Sequence, residues 1–138
     1  MTRFVGRTAV VTGAGGGIGT AIARRLASEG AHVVVCDAVA STAEATVQEI
    51  AADGGSAEAA VFDVASGAEV AAFASRVLEE RGLVDVLVNN AGINRRGPLL
   101  DLTDDDWRAT MSVNLDSMYH LCRALLPAMV DAGRGAIV

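Results

Sequence analysis

Short, valine-rich apolar runs alternate with longer alanine-rich segments along the chain. The runs Ala9–Val11, His32–Cys36, Ala59–Phe62 and Val84–Val88, with Gly135–Val138 opening a fifth, are each too short for a helix. They read as strands buried on both faces of a sheet. The segments between them, Ile18–Glu29, Ser41–Ala52, Ala68–Arg81 and Asp104–Ala132, read as helices. In the third, Val70, Phe73, Val77 and Leu78 recur at helical spacing. In the last, Leu115, Met118, Tyr119, Cys122, Leu125, Leu126 and Met129 trace one stripe expected to face the core. Gly30, Gly82 and Gly133 fall where a left-handed residue ends a helix, and Thr103 with Asp106 forms a variant capping box that starts one at Asp104. Pro127 is expected to bend the last helix or end its regular hydrogen bonding. Strands alternating with helices imply a parallel sheet with right-handed crossovers, a doubly wound α/β layer structure.

Composition narrows the function. The 138 residues suit one domain with a real core, and an apolar fraction of 51% excludes wholesale disorder. A net charge of −6 argues against nucleic acid or an anionic membrane as partner. No run approaches a membrane span and the first residues lack an apolar leader, so the expected location is cytoplasmic. Cys36 and Cys122 sit in separate apolar stretches and read as two buried, reduced thiols. His32 and His120 have no ligand-like companions, so no metal site is expected. All eleven basic residues are arginine.

The first strand runs into Thr12-Gly13-Ala14-Gly15-Gly16-Gly17-Ile18-Gly19, and a helix follows at once. Glycines there permit a tight reversal and let backbone approach a diphosphate, which the free N–H groups and partial positive charge of the helix N-terminus then favour. No Gly-Lys-Ser/Thr follows, which disfavours a kinase-type phosphate loop. Asp37 closes the second strand, 18 residues beyond Gly19. An acid there can accept hydrogen bonds from both adenosine ribose hydroxyls and would repel a 2′-phosphate. Gly16 offers no basic side chain to offset that repulsion, so NAD is favoured over NADP.

Thr12, Gly13, Gly17, Ile18 and Gly19 match Thr-Gly-x-x-x-Gly-x-Gly, and Asn89-Asn90-Ala91-Gly92 follows the fourth strand. With Val113-Asn114-Leu115 in the long helix and Asp63-Val64 after the third strand, the chain resembles the short-chain dehydrogenases/reductases from about Arg7 to Val138. The stretch from Ala91 onward is most similar to the 3-oxoacyl-[acyl-carrier-protein] reductase-like branch. The resemblance implies a Rossmann-type fold with helices on both sheet faces and a nicotinamide-dependent oxidoreductase acting on an alcohol or ketone. Gly13, Gly17, Ile18 and Gly19 would line the pyrophosphate, with Gly15 and Gly16 close by, and Asp37 would hold the adenosine ribose. Asp63 and the Val64 amide would meet the adenine. Asn90, Ala91 and Gly92 would run beside the nicotinamide ribose and steady the sheet. Asn114 would be the catalytic asparagine, its main-chain carbonyl holding a water of the proton relay.

In that family the chemistry rests on a Ser and a Tyr-x-x-x-Lys pair beyond the fifth strand. This sequence has no lysine, and Tyr119 followed by Arg123 is a poor stand-in because arginine is no substitute in a tight relay. Tyr119 reads as core or interface. The chain is therefore expected to be a single domain, 1–138, incomplete at the fifth strand and catalytically incompetent alone, with apolar surface exposed on the fourth strand and long helix. A homo-oligomer and a small-molecule substrate are expected of the complete form. Two alternatives remain: a non-catalytic dinucleotide-binding module, and a methyltransferase, which the Asn89–Gly92 motif disfavours.

Overall fold

The computed structural model describes residues 2–138. Five parallel strands form one sheet in the order β3-β2-β1-β4-β5. They are β1 (Thr8–Thr12), β2 (His32–Asp37), β3 (Ser56–Val61), β4 (Val86–Val88) and β5 (Ala136–Ile137). Helices α1 (Gly17–Ser28), α2 (Ala40–Ala52) and α3 (Gly67–Arg81) link the first four strands, and α4 (Asp104–Met111) and α5 (Ser117–Asp131) precede the fifth. This is the doubly wound α/β arrangement that the alternation implied.

Side-chain alternation along the strands builds two cores. Val10, Val34, Cys36 and Leu87 face α3 and α5, meeting Val70, Phe73, Val77, Leu121 and Leu125. Ala9, Val11, Val33, Val35 and Val88 face α1 and α2, where Ala23, Ala27, Ala43 and Ile50 complete the layer. The alanines explain the composition: with no bulk beyond Cβ, α1 and α2 can lie close on the valine surface.

Several boundaries differ from the sequence expectation. The third strand starts three residues earlier and ends before Phe62, because its pairing with β2 begins at His32 opposite Ser56. It is an edge strand, half-exposed along most of its length, not buried on both faces. β5 is exposed as well. The fourth strand starts at Val86 rather than Val84, yet Val84 is fully buried. A short 3₁₀ turn at Leu99–Asp101 was not expected. The long fourth helix is interrupted, with one π turn over Ser112–Asp116 between α4 and α5. Pro127 does not end the helix, which runs on to Asp131. The predicted capping box at Thr103 and Asp106 is present, and Gly30, Gly82 and Gly133 adopt φ of 95°, 74° and 64° at helix ends.

The apolar stripe of α5 is split. Leu125 and Met129 are buried together with Leu121, which the stripe did not include, one helical turn apart, whereas Leu115, Met118, Tyr119 and Leu126 are exposed. Tyr119 is thus not a core residue. The exposure expected of the long helix is found, but that of the fourth strand is not, since Leu87 and Val88 are buried. Among the described residues no helix is long and apolar enough to cross a membrane.

At the end of the sheet opposite the glycine loop, one carboxylate joins three strands. Asp85 Oδ1 accepts from Arg7 Nη1 at 2.7 Å and Arg134 Nε at 2.9 Å, and Oδ2 accepts from the Thr8 amide at 3.0 Å. Burial alone would raise the Asp85 pKa. The Thr8 amide and the two guanidinium groups outweigh it and hold the carboxyl below its ordinary range. The stability contributed by a depressed carboxylate is present above its unfolded pKa of about 3.9 and is lost as pH falls through the folded value. Asp85→Ala should lower the unfolding free energy at neutral pH by about 1–3 kcal/mol and flatten the loss of stability below about pH 4. Urea unfolding across pH checks this, and an unchanged midpoint at pH 7 would contradict it.

Candidate functional site

The glycine loop lies where β1 hands over to α1, and its glycines are required by close approaches. A Cβ on Gly19 would sit 2.2 Å from the Gly13 carbonyl oxygen, and one on Gly13, which has φ of 60°, would meet Ala91 Cα at 2.9 Å. Gly16 and Gly17, in contrast, border open space. Gly16 is extended, with φ −169°, as the cap of α1 and has no side chain to occupy the helix N-terminus. The first amides of α1 therefore face a rim that a diphosphate can occupy. Ile18 lies 74% exposed beside it, an apolar side chain that a bound dinucleotide could cover.

Two fastenings hold the loop. The Ala14 amide donates to the Cys36 carbonyl at 3.0 Å, and the Thr20 and Thr46 hydroxyls both donate to the Ala14 carbonyl. The second fastening joins the motifs. Thr12 Oγ1 donates to the Val88 carbonyl at 3.3 Å and accepts from the Asn90 and Ala91 amides at 3.1 and 3.0 Å, using its full hydrogen-bonding capacity. Asn90 Nδ2 answers by donating to the Thr12 and Gly13 carbonyls at 3.0 and 3.2 Å. Asn90 thus ties the glycine loop to the end of β4. Asn89 turns away, and both of its side-chain polar atoms are buried without a hydrogen-bond partner in the protein.

Asp37 stands at the tip of β2, facing the loop. Its Oδ2 accepts from the Gly15 amide at 2.9 Å and its Oδ1 from the Val39 amide at 3.0 Å. The Thr42 hydroxyl also lies 3.4 Å from Oδ1, so Oδ2 is the oxygen that retains a lone pair for a further donor. Asp63 closes an Asx turn, accepting from the Ala65 amide at 2.8 Å, while its own amide donates to Glu69 Oε2. The Val64 side chain is buried in the core.

These tips surround a crevice of about 530 Å³ over the carboxyl ends of the strands. Gly13, Asp37, Asp63, Val64, Ala91 and Gly92 line it. Gly15–Gly19 form the adjoining rim, and Asn90 lies behind the lining. The π turn brings Asn114 to the far end, where its side chain pairs with the Ile93 backbone. Oδ1 accepts from the Ile93 amide at 2.8 Å, and Nδ2 donates to the Ile93 carbonyl at 2.9 Å. The side chain of Asn114 is therefore a clamp on the loop after Gly92. This crevice sits where strand order reverses, with β2 on one side of β1 and β4 on the other, the place such folds use for ligands.

Thr12 and Val113 belong to the motifs quoted from the sequence but had no task there, and Ile93, Arg95 and Ser112, which also line the crevice, were not expected. A threonine closing a strand before a glycine loop was a usable signal for Thr12; no spacing rule marks Arg95. Tyr119 and Arg123 lie elsewhere. Arg123 Nη1 donates to Tyr119 Oη at 2.6 Å beside a groove that also touches Gly67, Ala71, His120 and Ala124. Cys36 is buried, and burial pushes its thiol pKa far up, while Cys122 is half-buried rather than buried; both are free. His32 Nδ1 is hydrogen-bonded with Ser56 Oγ at 2.7 Å, and its Nε2 lies 3.4 Å from Glu58 Oε1 without a hydrogen bond. Among the described residues there is no group of three or more potential metal ligands.

Thr12→Val should cost about 2 kcal/mol of stability, because the Asn90 and Ala91 amides lose their acceptor, whereas Thr12→Ser should stay within about 1 kcal/mol of the parent. Chemical denaturation of both variants checks this; equal midpoints would show that the hydroxyl is not the fastening.

The comparisons with known proteins agree with this geometry. The sequence family described as short chain dehydrogenase matches residues 7–138. The D-threitol dehydrogenase of Mycolicibacterium smegmatis is 41% identical over 136 residues, covering 99% of this chain and 52% of that protein. Among solved structures, a metagenomic short-chain oxidoreductase in complex with NADP superposes with a TM-score of 0.94 at 47% identity, covering 97% of this chain and 61% of that one. A 7α-hydroxysteroid dehydrogenase complexed with NADH and 7-oxo glycochenodeoxycholic acid superposes with a TM-score of 0.92 at 40% identity, covering 99% and 53%. The chain spans about half the length of the curated relatives it matches. With a match over almost its whole length, this chain belongs to the short-chain dehydrogenase family.

Proposed function

We propose that this chain seats NAD(H) for an oxidoreductase that moves hydride between nicotinamide and an alcohol or ketone. The observation that carries the reading is Asp37: its carboxylate is held against the Gly15 amide, at the mouth of the crevice and beside the open glycine rim. Gly13 and Gly15 to Gly19 would cradle the diphosphate with backbone amides, and Asp37 would accept from the adenosine ribose hydroxyls. Asp63 would take the adenine amino group and the Val64 amide a ring nitrogen. Asn90, Ala91 and Gly92 would border the nicotinamide ribose.

When bound, the nicotinamide supplies the hydride acceptor or donor. This chain's residues orient it and shape the far end of the crevice. Asn114 clamps Ile93 through its side chain, and its main-chain carbonyl would hold a water of the proton relay. The lysine and second tyrosine that such a relay needs are not in this sequence, so the 138 residues alone are expected to bind without turning over. A cytoplasmic location and a homo-oligomer, to which the exposed apolar side of α5 would contribute, complete the reading.

Related structures carry NADH in one case and NADP in another. The preference for NAD here rests on charge: Asp37 would oppose a 2′-phosphate, and neither Gly16 nor Ala38 brings a cation to it. Calorimetric titration should show NADH binding at least tenfold tighter than NADPH. Asp37→Asn keeps one oxygen acceptor and removes the charge, so NADH should weaken by about ten- to a hundredfold, the worth of one charge-assisted hydrogen bond, while NADPH gains. Equal affinities in the parent, or an unchanged ratio in the variant, would contradict the assignment. Robust NADH oxidation with ketones by the 138-residue protein would contradict its expected incompetence.

A further inference from the structure

The cations of this protein are almost all committed. Eight of its eleven arginines lie within 4.0 Å of a carboxylate, and Arg123 is bonded to Tyr119. Arg95 and Arg96 have no hydrogen-bond or ion-pair partner among the described residues, and of the two only Arg95 lines the crevice. The carboxylate whose charge it feels, Asp106, is already occupied: its Oδ2 accepts from the Thr103 hydroxyl at 2.7 Å and the Thr103 amide at 3.2 Å. That acid is engaged through Oδ2 as the cap of α4 and makes no ion pair with Arg95 within 4.0 Å.

Position adds meaning to the missing partner. The crevice carries its acids, Asp37 and Asp63, at the tips of β2 and β3. Arg95 follows β4 by seven positions and stands with Ile93, Ala109, Ser112 and Val113 at the other end. The walls there are apolar apart from Ser112. With no carboxylate of the described residues within 4.0 Å and no hydrogen bond from the lining, the planar fork of Arg95 is available to a ligand, and that fork matches a carboxylate with two parallel N–H donors. In a protein of net charge −6, a lone cation in the crevice also distinguishes this end electrostatically from the end bearing the acids.

We propose that Arg95 is a specificity-determining residue that receives the carboxylate of a hydroxy- or oxo-acid substrate. This rests on the cofactor reading above, which puts the nicotinamide ribose beside Gly92, three residues before Arg95. The carboxylate is gripped at the rim while the carbon bearing the hydroxyl lies nearer the nicotinamide, so the charge orients the substrate without itself reacting.

A matched pair of secondary alcohols tests this: 3-hydroxybutyrate carries a carboxylate where butane-1,3-diol carries a hydroxymethyl group. With NADH bound to saturation, each is titrated while the backbone amide resonances of Ala91 and Gly92, present in parent and variants alike, are followed by ¹⁵N NMR. The expected result is a saturable shift with 3-hydroxybutyrate, at least tenfold tighter than with the diol. Arg95→Gln should abolish that preference without changing the Kd for NADH, and Arg96→Gln should retain it. Equal binding of the two alcohols, a preference that survives Arg95→Gln, or its equal loss in Arg96→Gln would overturn the inference. Weakened NADH binding in Arg95→Gln would also overturn it, by showing that the guanidinium serves the cofactor's diphosphate. Failure of the parent to bind NADH would instead defeat the cofactor reading; NADH binding without a carboxylate preference defeats this inference alone.

Discussion

A single hydroxyl and a single carboxamide hold the site in register. Thr12 Oγ1 takes the Asn90 and Ala91 amides while Asn90 Nδ2 takes the Thr12 and Gly13 carbonyls, so the last residue of β1 and the first turn after β4 are bonded in both directions. Elsewhere in the sheet a parallel ladder does this work, but at the strand ends the chains diverge toward α1 and toward the crevice. Without side-chain bonds those backbone groups would lie half-buried and unpaired. The tight contact of Gly13 with Ala91, which admits no Cβ, is the steric counterpart of the same fastening.

The remainder of the fold supports this point from two sides. Valines of the central strands present both faces, and small residues let α1 approach closely enough to aim its N-terminus at the loop. At the opposite end of the sheet Asp85 ties β1, β4 and the approach to β5, so the two strands that carry the fastening are pinned at both ends. The polar groups of the site thus rest on a rigid pair of strands, while Asp37 and Asp63 project from the neighbouring tips into the crevice.

Much of this was legible in the sequence because it depends on local chemistry. Alternation of valine runs and alanine helices specifies strand and helix order, and glycine spacing after β1 marks the loop. Asp37 stands out by its position at the end of the second strand, and Asn90 through the motif that resembles the family's. What sequence could not supply depends on packing across the fold. The stripe read from α5 spans more than the face that packs, which is set by Leu121, Leu125 and Met129, whereas Tyr119 points about 200° away from Leu121 around the helix. The π turn at Ser112–Asp116 leaves no mark in periodicity, because five residues without glycine or proline read as ordinary helix. Pro127 failed as a breaker since α5 packs on the sheet on either side of it, through Leu121, Leu125 and Met129. Arg95 differs from Arg96 only in which one the loop turns toward the crevice.

The dinucleotide proposed for this site would lie across the tips of β1 and β2 with its diphosphate on the N-terminus of α1. A crystal structure of the protein soaked with NADH tests this most directly. The expected density has the diphosphate oxygens against the amides of the Gly15–Gly19 stretch and the adenosine ribose hydroxyls on Asp37. Density for the cofactor anywhere else, or a ribose turned away from that carboxylate, would contradict it.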